Sequence, residues 1–355
     1  MCGIFAVSIP SDDAGNIVLQ GLKKLEYRGY DSWGVAIKQG SGEIIVRKDI
    51  GKIKDVNIQF EMSNEAIGHT RWATHGGVTV ANAHPHTVGK ITLVHNGIFE
   101  NYSEIKSDLQ DRGIGFRSDT DSEVIACILN DYIQQGISMA EAIRKSAEKI
   151  EGRFSIIVLS EDHKGIFAAR RGSPLIIGRG ETGTFIASDI PALLDHTNIV
   201  NYLDDNEMIH INGSKVEFTS LISGDPIQKR DIAVTWKAEQ ACKGDFSHFM
   251  IKEIFDQKST IKAAIEHEDH QLQAAVDLLQ KSNGAYFVAC GTAHKVAMTA
   301  EYYFADIASR KINVVSASEM PHFKKFINDQ TAIIAVSQSG ETADVMEVLE
   351  DAKSK

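Results

Sequence analysis

Long apolar runs are missing from this 355-residue sequence, and none approaches the roughly 20 residues that a membrane-spanning helix needs. The amino terminus lacks a basic stretch followed by an apolar one, so no secretory signal is read. Cysteine is scarce. The four cysteines, Cys2, Cys127, Cys242 and Cys290, are scattered without a Cys-x-x-Cys pair, which argues against a disulfide framework and a zinc site. Positive charge is in deficit. With 37 Lys and Arg against 48 Asp and Glu, the net charge is −11, the wrong sign for a nucleic-acid footprint. There is no tandem repeat and no low-complexity segment. The expectation is a protein of the reducing cytoplasm with no membrane partner, no nucleic-acid partner and no metal.

The remaining composition is ordinary for a globular protein, 43% apolar and 24% charged, and the length allows two or three domains. Residues 2–9 read as a strand that Pro10 breaks, and residues 15–27 as an amphipathic helix. Short strands follow to about residue 74. A strand then leads into Asn96-Gly97, and helices are expected near 102–111, 123–134 and 138–150. Six strand-like segments fill 154–220. Strands, helices, then strands again predict two sheets with helices packed on them. Residues 225–245 are polar and read as a linker. Beyond a long helical stretch, 246–280, the pattern becomes repeated strand, loop and helix, as in a parallel sheet.

Position 2 draws attention first. Loss of the initiator methionine, expected before a residue as small as cysteine, would put a thiol and an α-amine on one residue. The amine, with a pKa near ~8, suits it as base for its own thiol. Such a hydrolase also needs donors for an oxyanion. Asn96-Gly97 offers a carboxamide and a backbone N–H, although alone the pair reads best as a hairpin turn. Arg71 offers a guanidinium suited to a carboxylate, although a lone arginine is more often a surface residue. Asp121, at a helix start, suits a substrate ammonium or a simple cap.

Taken in order, Cys2-Gly3-Ile4, Tyr27 to Ser32, Gly68 to Gly76, Asn82 to His86, His95-Asn96-Gly97 and Thr120 to Glu123 resemble the glutaminase domain of class II glutamine amidotransferases. The resemblance spans residues 2–220. It implies an α+β, four-layer αββα N-terminal-nucleophile fold. It also implies L-glutamine as substrate and Cys2 as nucleophile, with Asn96 and Gly97 as the oxyanion hole. Arg71 would hold the α-carboxylate and Asp121 the α-ammonium, with Thr74 and His75 lining the pocket. Trp72 would gate ammonia, and Arg28 would support the nucleophile.

Residues 242–258, with Cys242 to Ile254 as their core, look like the linker of the glutamine:fructose-6-phosphate aminotransferase family, though Gln257-Lys258 stands where that family has Gln-Pro. Cys290-Gly291-Thr292-Ala293 and Ser337 to Thr342 resemble a sugar isomerase (SIS) domain, an α/β doubly wound parallel sheet. Hydroxyls and N–H groups between a strand and a helix N-terminus make a phosphate cradle. The sugar-phosphate site would use Cys290, Gly291, Thr292, Ser337, Gln338, Ser339 and Thr342. Ala293 replaces a serine usual in the family. The implied reaction is D-fructose 6-phosphate plus glutamine giving D-glucosamine 6-phosphate and glutamate, with no cofactor. The domains expected are 2–220 glutaminase, 221–245 linker and 246–355 a first SIS domain cut short. The family's second SIS domain, with the isomerase residues, is not found in this sequence, so the expectation is either a fragment or a separate chain that completes it, together with a homodimer. No phosphoribosyl-diphosphate motif or ATP pyrophosphatase loop is found, which disfavours an amidophosphoribosyltransferase or an asparagine synthetase. A sugar-phosphate sensor would not need Cys2, Arg71, Asn96 and Asp121 together. An acylase for other amides would not need the Arg71 and Asp121 pair.

Overall fold

A computed structural model describes residues 2–53, 56, 58–235, 246, 248–266, 269–338, 340 and 342–353. The chain divides into two compact units, Met1–Cys242 and Lys243–Lys355.

The strands of the first unit are β1 (Gly3–Ser8), β2 (Ser32–Lys38), β3 (Ile44–Ile50), β4 (Glu65–Arg71), β5 (His86–Val88), β6 (Ile91–Phe99), β7 (Gly152–Ser160), β8 (Ile166–Arg171), β9 (Ile176–Gly180), β10 (Gly183–Ala187), β11 (Ile199–Tyr202), β12 (Glu207–Asn212), β13 (Lys215–Ser220), β14 (Pro226–Ile227) and β15 (Ile232–Ala233). Its helices are α1 (Ala14–Lys24), α2 (Tyr102–Asp111), α3 (Asp121–Gln134) and α4 (Met139–Lys149). Among the described residues the strands form two antiparallel sheets, ordered β15-β11-β9-β10-β1-β4-β2-β3 and β14-β13-β12-β8-β7-β6-β5.

Alternation along β1 shows how the layers form. Ile4 and Ala6 join Ile67, Val94, Ile157 and Ile209 in a core between the two sheets. Phe5 and Val7 face the other way and pack with Val18, Leu22 and Phe185 beneath α1. On the outside of the second sheet, Leu93, Phe154 and Ile156 pack with Val124, Ile128 and Ile143 of α3 and α4. The result is helix, sheet, sheet, helix, the four layers expected. Each large side chain so enclosed is worth roughly 1.5–3 kcal/mol. The fit under α1 is tight: a Cβ on Gly21 would stand 2.2 Å from the Phe5 ring.

Two expectations change here. Asn96-Gly97 does not turn the chain. β6 continues through it in register with β7, Asn96 opposite Ser155 and Gly97 opposite Phe154. Part of the segment read as a linker is sheet: β14 pairs with β13, and β15 with β11.

The second unit contains α5 (Phe249–Ile265), α6 (Asp269–Lys281), β16 (Gly284–Ala289), α7 (Gly291–Asp306), β17 (Asn313–Ser316), a 3-10 stretch Ala317–Phe326, β18 (Thr331–Val336) and α8 (Ala343–Lys353). The helical stretch expected over 246–280 is two helices rather than one. The three strands are parallel in the order β17-β16-β18. Tyr286, Val288, Val315, Met320 and Val345 fill one face of the sheet, and Ala285, Phe287, Ala297 and Ile312 the other.

Candidate active site

Sheet register puts the key residues at one edge. Gly3 lies opposite Thr70 and Ser32 opposite Arg71, so Cys2, at the start of β1, meets Arg71, at the end of β4. The second sheet brings Asn96 and Gly97 beneath them, and α3 supplies Asp121. Cys2, Arg71, Trp72, Thr74, His75, Gly97 and Asp121 line one cleft of about 290 Å³ that opens to solvent, together with His84, His95, Thr120 and Ser122. Only about 20 Å³ of it admits the centre of a water molecule, little more than one water requires.

The Cys2 sulfur accepts the Trp72 N–H at 3.2 Å. Burial pushes the thiol pKa up, and the Trp72 N–H and the charges of Arg71 and Arg28 pull it partly back. The Cys2 carbonyl accepts from Asn96 Nδ2 at 3.0 Å and from Arg28 Nε at 3.1 Å. Arg28 is itself held by Asp189, Nη1 to Oδ2 at 2.9 Å, a charge-assisted contact that fixes the guanidinium. Thus Asn96 and Arg28 grip the nucleophile's backbone, while Gly97 lines the cleft. Gly97 has φ +136°, and a Cβ there would stand 2.0 Å from the Arg153 carbonyl oxygen. That position requires glycine.

Arg71 is buried. Its guanidinium donates to the carbonyl oxygens of His75, Gly76 (3.2 Å) and Gly77 (3.1 Å), wrapping the 75–77 loop around itself. Three of the five donors of a guanidinium are engaged this way. Burial lowers its pKa, and the thiol and carboxylates of Cys2, Asp121 and Asp31 oppose that. Asp121 accepts the Phe99 N–H at 2.9 Å and the Ser122 hydroxyl at 3.3 Å. Trp72 is exposed, with its ring tilted against Tyr30 at 5.5 Å. His75 stands edge-on to Tyr102.

A group of buried histidines was not picked out as functional from the sequence. His69 stacks on His84 at 4.0 Å, and His84 meets His86 at 4.6 Å. His95 Nδ1 bonds Ser122 Oγ at 2.8 Å, and His86 Nε2 bonds Thr120 Oγ1 at 3.1 Å. Burial drives all four rings toward the neutral form. The sequence signal was local (His84 and His86 flank Pro85), but the contacts join both sheets and α3.

In the second unit, the C-terminal ends of the three strands converge. Ala289 lies opposite Val336 in register, so Cys290 and Ser337 are neighbours. Ser337 Oγ bonds Thr342 Oγ1 at 3.1 Å and accepts the Gly340 N–H at 3.1 Å. Cys290 precedes α7, Gly291 takes φ +57°, and Thr292 and Gln338 are exposed. Ser339 lies outside the described residues. The Cys290 thiol reaches Asp344 Oδ2 at 3.5 Å. Its pKa is raised first by burial, then by that carboxylate, against N–H groups of Ala317 and Ser318. The end of β17 was missed from sequence as part of this edge.

Residues 51–220 match the glutamine amidotransferase domain family, and residues 278–355 match the SIS domain family. Two solved structures share the fold at TM-score 0.55. One is titled as the allosteric regulatory enzyme of purine biosynthesis (25% identical, 62% of this chain, 49% of that one). The other is glutamine phosphoribosylpyrophosphate amidotransferase from B. subtilis (18% identical, 89% and 66%). The protein therefore joins a glutamine amidotransferase domain to a SIS domain. Over its full length it is 39% identical to glutamine--fructose-6-phosphate aminotransferase [isomerizing] of Methanothermobacter thermautotrophicus and 39% identical to that of Thermus thermophilus. The Thermococcus kodakarensis relative is 40% identical over 99% of the chain. The chain spans 60% of the length of each of these relatives.

Proposed function

We propose that the first unit hydrolyses L-glutamine and that its ammonia serves the synthesis of D-glucosamine 6-phosphate from D-fructose 6-phosphate. One observation carries the first half: Cys2 Sγ, Arg71, Gly97 and Asp121 share a single cleft. The Cys2 thiolate attacks the glutamine side-chain carbonyl, and a tetrahedral oxyanion forms. The second N–H of the Asn96 amide and the backbone N–H of Gly97 are the donors for it. A proton passes to the leaving nitrogen, ammonia departs, and a thioester remains. Water then hydrolyses the thioester to glutamate. With Met1 removed, the Cys2 α-amine is the group placed to take and return that proton. Arg71 receives the α-carboxylate through its remaining donors, and Asp121 the α-ammonium. Trp72, exposed beside the nucleophile, serves as the gate.

The Ser337, Thr342 and Gly340 cluster at the strand ends supports a sugar-phosphate site with Cys290, Gly291, Thr292, Gln338 and Ser339. The chemistry as written needs no metal or organic cofactor. The three described cysteines carry free thiols, which fits a cytoplasmic enzyme. Residues 2–220 and 246–355 remain the two domains we propose, with β14 and β15 of the 221–245 segment added to the sheets of the first, the sugar chemistry completed by a further SIS domain and the protein acting as a homodimer.

The test is glutamate release from glutamine by the whole chain, with Met1 removal verified by mass spectrometry, with and without fructose 6-phosphate. The expected result is release that Cys2→Ala abolishes and that fructose 6-phosphate increases. No release from the processed chain would sink the glutaminase. Release indifferent to the sugar phosphate would sink the coupling and leave a stand-alone glutaminase.

A further inference from the structure

We propose that His69 is a positioning residue for the oxyanion site: its ring N–H holds the carboxamide oxygen of Asn96 and thereby turns the Asn96 amide toward Cys2. The inference rests on the glutaminase reading of the cleft.

His69 lies on β4, wholly buried between the two sheets. Its Nε2 is 3.0 Å from Asn96 Oδ1 and 3.0 Å from the His95 carbonyl oxygen. Both neighbours are acceptors, so the ring proton belongs on Nε2. Nδ1 has no hydrogen-bond partner among the described residues, so no acceptor there draws the proton away from Nε2. Burial lowers the ring pKa to about 3, so it stays neutral across any working pH. The face of His84, 4.0 Å away and inclined by 29°, fixes the plane of the ring.

A carboxamide is close to symmetric in shape but opposite in charge at its two ends. With Oδ1 held by His69, Nδ2 faces the nucleophile and bonds the Cys2 carbonyl at 3.0 Å. The flipped amide would oppose NH₂ to the ring N–H and carbonyl oxygen to the Cys2 carbonyl, two repulsive contacts. It would also present a negative end where an oxyanion must form. One buried hydrogen bond therefore decides the sign of the dipole offered at the reacting carbon. Its worth is seen only as charge develops, so it belongs in kcat rather than in substrate binding.

The experiment measures steady-state glutamine hydrolysis by the full chain. Wild type and Cys2→Ala are assayed first, so failure of the glutaminase reading shows itself independently. His69→Leu is expected to lower kcat about tenfold or more while KM stays within about twofold. His69→Gln, which keeps a side-chain N–H, is expected to retain at least about a third of kcat. In an Asn96→Ala background, His69→Leu should cost less than about twofold further. An equal loss with and without the Asn96 side chain would overturn the proposal. So would a raised KM at unchanged kcat, or an Asn96→Ala variant of undiminished kcat. If His69→Leu loses its thermal transition, His69→Asn, whose amide falls short of Asn96, makes the same comparison with His69→Gln.

Discussion

At the nucleophile, burial and local charge pull in opposite directions, and burial wins. The Cys2 thiol is raised above the ordinary cysteine range despite the Trp72 N–H, Arg71 and Arg28. The protonated thiol is therefore the form that the folded chain favours. The stability tied to it is present below the unfolded pKa and is lost as pH rises through the folded one. Alkylation of Cys2 by iodoacetamide, followed by peptide mass spectrometry from about pH 6 to pH 10, should run slower than for free cysteine. It should still be climbing above about pH 8.5, the value for an unperturbed thiol. A plateau below that pH would mean a thiolate stabilised by the site. Cys127, on the buried face of α3 with a pKa pushed up to about 12, serves as an internal control that stays unlabelled. Cys2, Arg71, Gly97 and Asp121 were legible because each chemical type sits in an ordered motif. The role of His69 was not, because it depends on contact with Asn96, 27 residues away and on the opposite sheet. Sequence order carries no trace of a contact made by stacking two sheets.

At the level of elements, the start of α3 shows chemistry one step removed from its motif. Asp121 stands at a helix start in the sequence, and α3 does begin there. Yet Thr120, the N-cap, makes no side-chain cap bond. The work falls to Glu123, three residues on, as in a capping box. It reaches past Thr120 to accept the N–H of Arg117 at 2.8 Å, the N–H of Ser118 at 2.6 Å and the Ser118 hydroxyl at 2.7 Å. Thr120 is thereby left to bond His86. Removing Glu123 strands three donors beside a buried helix end. Glu123→Ala should cost roughly 2–4 kcal/mol in urea unfolding. Its KM for glutamine should rise, because Thr120 and Asp121 lose their anchor. A loss below about 1 kcal/mol would show that water takes over the donors. The short strands β11, β14 and β15, at or next to a sheet edge, escaped the sequence reading for a related reason. Two to four residues carry no usable alternation, and pairing with a longer neighbour makes them strands. Asn96-Gly97 failed as a turn because β7 continues to supply partners on both sides of it.

Across the whole molecule the two units treat their helices differently. In the first unit, α1 and α3 bury their apolar faces against sheet. In the second, α5 carries Met250, Ile254, Ile261 and Ile265 along one helical face in water, with Met250 and Ile265 each 74% exposed. On α7, Tyr302 and Tyr303 are exposed too, and Ile307 just beyond it is 81% exposed. An apolar stripe of this kind facing water marks an interaction surface or an aggregation hazard. With a net charge of −11 opposing unspecific clumping, we expect defined self-association into the homodimer proposed above. Sedimentation equilibrium of the full chain should give twice the monomer mass at micromolar concentration. Replacing Ile254 and Ile261 by aspartate puts four like charges into a two-fold contact. That variant should sediment as a monomer with its glutamine hydrolysis intact, since neither residue belongs to the first unit. Wild type sedimenting as a monomer at about 50 μM, a concentration at which an interface of standard size is normally saturated, would remove α5 from consideration.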